Sequence, residues 1–328
     1  MSRRPEAGRR DVDVADLVER ARAGQVRAVA RLLSLVESDS AHLRGAMTLL
    51  APHTGHAQVV GLTGAPGVGK STSTNALITA LRARGRTVGV LAVDPSSPFS
   101  GGALLGDRIR MEHHAGDPGV LIRSMASRGH LGGLSAATPQ AVRVLDAAGF
   151  DVVLVETVGV GQSEVEVAGL ADTTVVLLAP GMGDGIQAAK AGILEVGDVY
   201  VVNKADAEGA GRLRRELRGA LSMAERGAGE WEPPVVSTVA SRAEGVDDVL
   251  DALAAHREWS VATGALGRRR LARARAEVEA VAVAELRRRW ADLGGSDRLD
   301  ALAREVAAGR LGVHTAADAL VQGRPQDG

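Results

Sequence analysis

Cysteine is absent from this 328-residue chain. That excludes disulfides and thiolate-held metals, and it fits a reducing compartment. An excess of one charge is also absent: 39 Lys and Arg stand against 40 Asp and Glu, a formal net charge of −1. No global attraction toward nucleic acid or a membrane surface is therefore built in. No apolar run approaches the roughly 18 residues needed to cross a bilayer, and the N-terminus lacks the apolar centre of a signal peptide. The opening MSRRPEAGRR has Glu6 as its single acid, as a transit segment would, but it lacks amphipathic periodicity and reads as a disordered N-terminus. The expectation is a cytoplasmic protein with no nucleic-acid or membrane partner, long enough for a large α/β domain with appendages or for two domains.

What is present is organised around residues 58–71, QVVGLTGAPGVGKS. A short apolar strand breaks into a glycine-rich turn, and a helix is expected from Thr72 onward. The spacing Gly64-x4-Gly69-Lys70-Ser71 fits the P-loop pattern in that context. Such a turn must aim several backbone N–H groups at one polyphosphate. Gly64, Gly67 and Gly69 avoid side-chain clash, and the helix N-terminus adds partial positive charge. The nucleotide is expected along Gly64, Ala65, Pro66, Gly67, Val68, Gly69, Lys70, Ser71 and Thr72. Lys70 should reach the β- and γ-phosphates, and the Ser71 hydroxyl should ligate Mg2+.

Before this stretch, residues 11–52 carry apolar positions at helical spacing, broken at Gly24 and Ser38-Asp39-Ser40, and predict two or three amphipathic helices. After it, short apolar runs alternate with helices. Strands are expected at 59–63, 87–93, 120–125, 151–156, 173–179, 199–203 and 234–238. This is the pattern of a doubly wound, mostly parallel α/β sheet, whose ligands sit at the carboxyl ends of the strands. The residues after each strand therefore matter most.

Asp94 closes the second strand, ahead of a Pro/Ser/Gly loop and Asp107. Asp94 can take a Mg2+-bound water or orient the attacking one, or it can simply open a turn before Pro95; Asp107 reads equally as a helix cap. Glu156 closes the fourth strand, followed by Gly159. That places a Mg2+-organising acid and a backbone N–H for the γ-phosphate, although a structural pairing with an arginine would also satisfy a buried acid. The sixth strand runs into Asn203-Lys204-Ala205-Asp206. The Asp206 carboxylate can accept from guanine N1–H and its exocyclic amine, whereas adenine offers no matching donors. Ser237 and Thr238, after the seventh strand, are a candidate second contact to the base. The glycine-rich residues 179–190, containing Pro180, Gly181, Asp184, Gln187 and Lys190, read as a flexible connector, to which composition alone assigns no partner.

From Gly245 the chain is helical. A long helix is expected after 264–267, with Leu271, Ala274, Val278, Ala282, Leu286 and Trp290 on one side and the arginine-rich 268–280 as a solvated face. Two short helices follow, the last opening at Thr315 with Asp318 as a partial capping box. The expected division is a helical arm at 1–55, a nucleotide domain at 56–262 and a C-terminal helical self-association region at 263–328.

Taken in this order, and above all in VDPSSPFSGGALLGDRIRM and VETVGVGQSE, the chain resembles the MeaB/ArgK-like GTPases, the methylmalonyl-CoA mutase-associated GTPases. The resemblance implies a SIMIBI-type P-loop fold, a homodimer through the C-terminal helices, and Mg2+-dependent hydrolysis of GTP to GDP. It implies a chaperone that gates adenosylcobalamin delivery to a B12-dependent acyl-CoA mutase and protects or reactivates it. On that pattern Lys70 contacts phosphate, Ser71, Asp94, Asp107 and Glu156 form the metal and water environment, Asn203 and Asp206 read guanine, and residues 180–190 are a switch element. Two alternatives are weighed against it. A nickel-type metallochaperone GTPase would need thiolate or histidine clusters, and the chain has no cysteine and the single adjacent pair His113-His114. A small-molecule kinase would use ATP, which Asp206 argues against.

Overall fold

The structure is a computed structural model that describes residues 13–38, 40–94, 114, 116–126, 137–157, 163–181, 193–223, 227, 229–292 and 295–322. Asp107, His113, Gly159, Gln162, Asp184, Gln187, Lys190 and the N-terminal decapeptide lie outside this set, as does the side chain of Asp94; His114 is described, with a ring nitrogen 3.4 Å from the Thr79 hydroxyl.

Helix α1 (Val14–Arg22) starts at Asp13, whose Oδ1 accepts the N–H groups of Ala15 and Asp16, both at 3.0 Å, an N-cap that satisfies donors the helix cannot. Helices α2 (Val26–Glu37) and α3 (Leu43–Leu50) follow. The apolar stripes legible in the sequence point inward: Leu17, Val18, Val29, Leu32, Leu33 and Val36 are buried and join the same core as the sheet.

Strand β1 (Gln58–Thr63) leads to helix α4 (Lys70–Ala83), then β2 (Val88–Asp94), β3 (Val120–Ala126), α5 (Ala137–Ala147), β4 (Val152–Thr157), α6 (Ser163–Leu170), β5 (Thr173–Leu178), α7 (Ile193–Val196), β6 (Val199–Val202), α8 (Ala210–Ser222) and β7 (Val235–Ser237). All seven strands expected from the sequence are present, and they form one parallel sheet in the order β3-β2-β4-β1-β5-β6-β7. The chain leaves β1 toward β2 and β3, returns to β4 and then departs toward β5. The carboxyl ends of β1 and β4 thus lie side by side where a doubly wound sheet opens its crevice.

Strand periodicity of two sorts the side chains between layers. Val153 and Val155 of β4 face the core shared with α1 to α3, α5 and α6, whereas Val152 and Leu154 face the core shared with α4. Glu156 continues the second series. Its carboxylate is therefore delivered to the α4 side, under the P-loop.

Helix α9 (Val246–Ala262) packs on the α4 side through Leu250 and Leu253, and the long helix α10 (Ala265–Asp292) begins two residues earlier than Gly267. The start of α10 departs from the solvated face read in the sequence. Arg269 donates to Asp198 at 2.7 and 3.0 Å, and Arg270 donates to Asp172 at 2.6 and 3.1 Å and to the carbonyl of Ala57 at 2.9 Å. Asp198 and Asp172 also accept the N–H groups of Thr174 and Val59 at the amino ends of β5 and β1. Burial pushes the Asp198 carboxyl up, but bonds from His256 and Arg269 outweigh it and hold it at about 2. Two arginines thus tie the root of α10 to the sheet edge opposite the P-loop.

The described chain divides into two compact units, residues 1–271 and 272–328. The second contains α11 (Gly295–Ala307) and α12 (Val313–Gln322). The last helix opens at Val313, two residues before Thr315, so Thr315 lies inside its first turn rather than capping it. Among the described residues no helix is long and apolar enough to cross a membrane.

Candidate functional site

The loop between β1 and α4 takes its shape from glycine at two positions. Gly64 has φ of 140°, and a β-carbon there would stand 2.3 Å from the carbonyl oxygen of Leu177 on β5. Gly69, at φ 96°, caps α4 in the left-handed region, and a β-carbon there would stand 2.4 Å from Asn203 Nδ2. Both positions exclude side chains on steric grounds. Helix α4 begins at Lys70, two residues ahead of Thr72, so Lys70 and Ser71 belong to its first turn, where free N–H groups and the helix dipole favour an anion.

Lys70 is 8% exposed, and its Nζ donates to the carbonyls of Gly64 at 2.7 Å and Ala65 at 3.1 Å. The ammonium group is thereby held over the loop, where phosphate oxygens would come. Pro66 and Gly67 stand exposed at the rim, while Val68 is buried beneath it.

On the other side of the first turn the Ser71 hydroxyl donates to Glu156 Oε1 at 2.6 Å, and the Thr74 hydroxyl donates to Oε2 at 2.8 Å. Glu156 is 4% exposed, and two hydroxyls on one helix face, three residues apart, satisfy both of its oxygens. Thr74 escaped the sequence reading, although its spacing from Ser71 was the available signal. The donor set is all oxygen, with a buried carboxylate against the P-loop hydroxyl, and suits a hard cation such as Mg2+ rather than a soft metal. Among the described residues no three His, Asp or Glu side chains cluster as a metal site. Asp94 ends β2 in register with Ala126, and Ala92, two residues earlier on the same strand, is paired with Glu156.

The loop after β6 is fastened to the P-loop. Asn203, 3% exposed, donates from Nδ2 to the carbonyl of Val68 at 2.8 Å, while its Oδ1 accepts from the Thr238 hydroxyl and the Ala240 N–H, both at 3.1 Å. Lys204 adopts φ 55° and sends Nζ to the carbonyl of Gly67 at 2.9 Å. Asn203 thus joins three loops, and Thr238 supports it with its side chain. Asp206 is about half exposed at the mouth of this arrangement and pairs with Arg242 at 3.1 Å. Arg242 carried no sequence signal. Ser237 accepts from Arg214 at 3.4 Å, while its own carbonyl presses on Gly245, where a β-carbon would come within 2.2 Å. Pro180 and Gly181 follow β5 on the same rim of the sheet.

The structure therefore assembles, at the carboxyl ends of β1, β4, β5 and β6, a phosphate loop with its lysine, a hydroxyl and carboxylate pair, and an Asn-Lys-x-Asp loop bonded directly to the phosphate loop. Comparison with known proteins agrees. The family model described as methylmalonyl Co-A mutase-associated GTPase MeaB matches residues 29–293. A Pyrococcus abyssi protein described as a GTPase is 49% identical over 270 residues, covering 82% of this chain and 83% of that protein. The Mus musculus protein named methylmalonic aciduria type A homolog, mitochondrial, is 40% identical over 214 residues, covering 64% of this chain and 52% of that one. The crystal structure of an LAO/AO transport system kinase superposes with a TM-score of 0.69 at 27% identity, covering 96% of this chain and 99% of that one. The chain is a P-loop GTP hydrolase and belongs to the methylmalonyl-CoA mutase-associated GTPase MeaB family.

Proposed function

We propose that this GTPase is a chaperone of a B12-dependent acyl-CoA mutase, most simply methylmalonyl-CoA mutase, and that GTP hydrolysis gates adenosylcobalamin loading and protects or reactivates the loaded enzyme. The observation that carries this reading is the family match over residues 29–293, which contains the whole site; the name of the mouse relative supports it. The reading extends to a cytoplasmic homodimer in three parts: a helical arm at 1–55, the GTPase domain at 56–262 and a dimerising region at 263–328. Within residues 272–328, Val278 is 69% exposed, Val281 52% and Leu286 49%, an apolar surface of the kind a second copy would cover. The loop from Pro180 to Lys190 is assigned as the element that answers to nucleotide and mutase.

In this reading the Ser71 hydroxyl would hold Mg2+, with Glu156, Asp94 and Asp107 forming its carboxylate environment, and the ion would supply neutralisation of the charge that develops on the phosphates. The protein's own part is positional. Glu156 orients the Ser71 hydroxyl, Lys70 and the loop N–H groups bind phosphate, and Asn203 holds the base loop against the phosphate loop. Glu156→Gln replaces one acceptor with a donor that faces a hydroxyl. Its Mg2+-dependent turnover is expected to fall about 10- to 100-fold, the usual cost of losing an outer partner of a metal ligand, with little change in GDP affinity measured in EDTA. Equal Mg2+ dependence in variant and parent would remove Glu156 from the metal environment.

The test of function is to add the B12-dependent mutase of the same organism to the purified GTPase and to capture complexes with a GTP analogue. Turnover is expected to rise and a stable complex to form. Unchanged turnover together with no complex would overturn the chaperone role while leaving the GTPase in place.

A further inference from the structure

On the rim of the sheet opposite the P-loop lies a cavity of about 420 Å3, whose lining includes Arg22, His53, His56, Arg86 and Arg257. These five come from separate parts of the chain: the last turn of α1, the short turn after α3, the residue pair leading into β1, the approach to β2, and α9. The fold alone brings them together.

The two carboxylates in the wall are already committed. Asp146 accepts the N–H groups of Gly55 at 2.5 Å, His56 at 3.0 Å and Ala57 at 2.8 Å. Asp151 accepts from the Thr87 N–H and hydroxyl, both at 2.8 Å, with Arg86 at 3.4 Å. The cationic side is much less committed. Arg257 makes only long contacts, 3.5 Å to Gln58 Oε1 and 3.4 Å to the carbonyl of His56. The guanidinium of Arg22 and the imidazoles of His53 and His56 make no hydrogen bond or ion pair with another described residue. Three guanidiniums against two carboxylates leave net positive charge, and unused donors outnumber unused acceptors. Buried Phe150 and Ala147 supply an apolar wall.

Guanidinium groups present paired N–H donors that match the oxygens of phosphate, and the volume lies in the range of small-molecule sites. We infer that this cavity binds a phosphate-bearing small molecule, at a site separate from the nucleotide. His56, in the lining, stands two residues before β1, whose far end leads into the P-loop. The assignment rests on the cavity alone and stands or falls independently of the mutase partner.

The experiment uses full-length protein saturated with GDP and Mg2+, so that the P-loop is filled, with inorganic pyrophosphate as the probe in equilibrium dialysis. One saturable pyrophosphate site per chain is expected, weakened at least about 10-fold in Arg22→Ala and in Arg257→Ala, the scale of losing a charge-assisted bond. GDP affinity and circular dichroism should be unchanged, since neither arginine touches the nucleotide site or a buried partner. Citrate in tenfold excess should compete poorly. No saturable binding, equal affinity in both variants, or displacement by citrate as efficient as by inorganic phosphate would each overturn the assignment.

Discussion

Lys70→Ala is expected to lower GTP turnover by at least about 10²- to 10³-fold, the scale seen when one preorganised electrostatic contact to a transition state is removed. In this structure Nζ is held between the carbonyls of Gly64 and Ala65, at 2.7 and 3.1 Å, inside a loop that leaves the residue 8% exposed. The charge needs no reorganisation to meet a phosphate, and stabilisation of this kind dominates phosphoryl transfer. Lys204 is no substitute, because its ammonium lies on the outer side of the loop at Gly67 and is exposed. GDP and GTP binding should also weaken, by about 10-fold or more for a lost charge-assisted bond. The helix should survive, since α4 is anchored by Leu77, Ile78 and Leu81 in the core and starts at a glycine cap. Phosphate release, labelled GDP binding and far-ultraviolet circular dichroism measure the three statements. Parental turnover in a folded variant would take Lys70 out of the mechanism.

How much of this was legible beforehand depends on how local each feature is. The strands were readable because a parallel sheet buried on both faces needs continuous apolar runs, and Val152 to Val155 or Thr173 to Leu178 can do little else. The P-loop was readable because its glycines, lysine and serine act within eight residues. Partners were not readable. That Glu156 takes the hydroxyl of Thr74 as well as Ser71, or that Asn203 reaches the carbonyl of Val68, depends on strand order and on which layer each side chain enters. The arginine run at 268–280 shows the same limit. Its composition is that of a wet helix face, yet Arg269 and Arg270 find Asp198 and Asp172 because those acids cap the amino ends of strands that pass beneath. Helix starts slipped by two residues at Lys70 and Val313 for a related reason. The turn preceding each helix fixes where it begins, and turn geometry is set partly by contacts distant in sequence.

Asp206→Asn is the second large effect expected, and it falls on specificity. A carboxylate offers two acceptors to guanine N1–H and the exocyclic amine, whereas the asparagine amide offers one acceptor and one donor. The donor then faces an amine that also donates, leaving polar groups unpaired, and sites built on such pairs reject the mismatched ligand by factors of order 10⁴. The same amide matches xanthine, which keeps the N1–H donor and carries a carbonyl in place of the amine. GTP affinity is therefore expected to fall by about 10²-fold or more while that of xanthosine triphosphate rises, measured by displacement of labelled GDP. The loop itself should hold. Asp206 is 45% exposed and contributes one bond, to Arg242, while the geometry of the loop comes from Asn203, from the Thr238 carbonyl accepting Ala205 N–H at 3.0 Å, and from the Lys204 carbonyl accepting Ala207 N–H at 2.9 Å. Because those bonds persist, the change in nucleotide preference reads the carboxylate and not the fold. An unaltered preference for guanine would mean that the base is recognised elsewhere on this rim, with the backbone around Thr238 and Ala240 as the next groups to test.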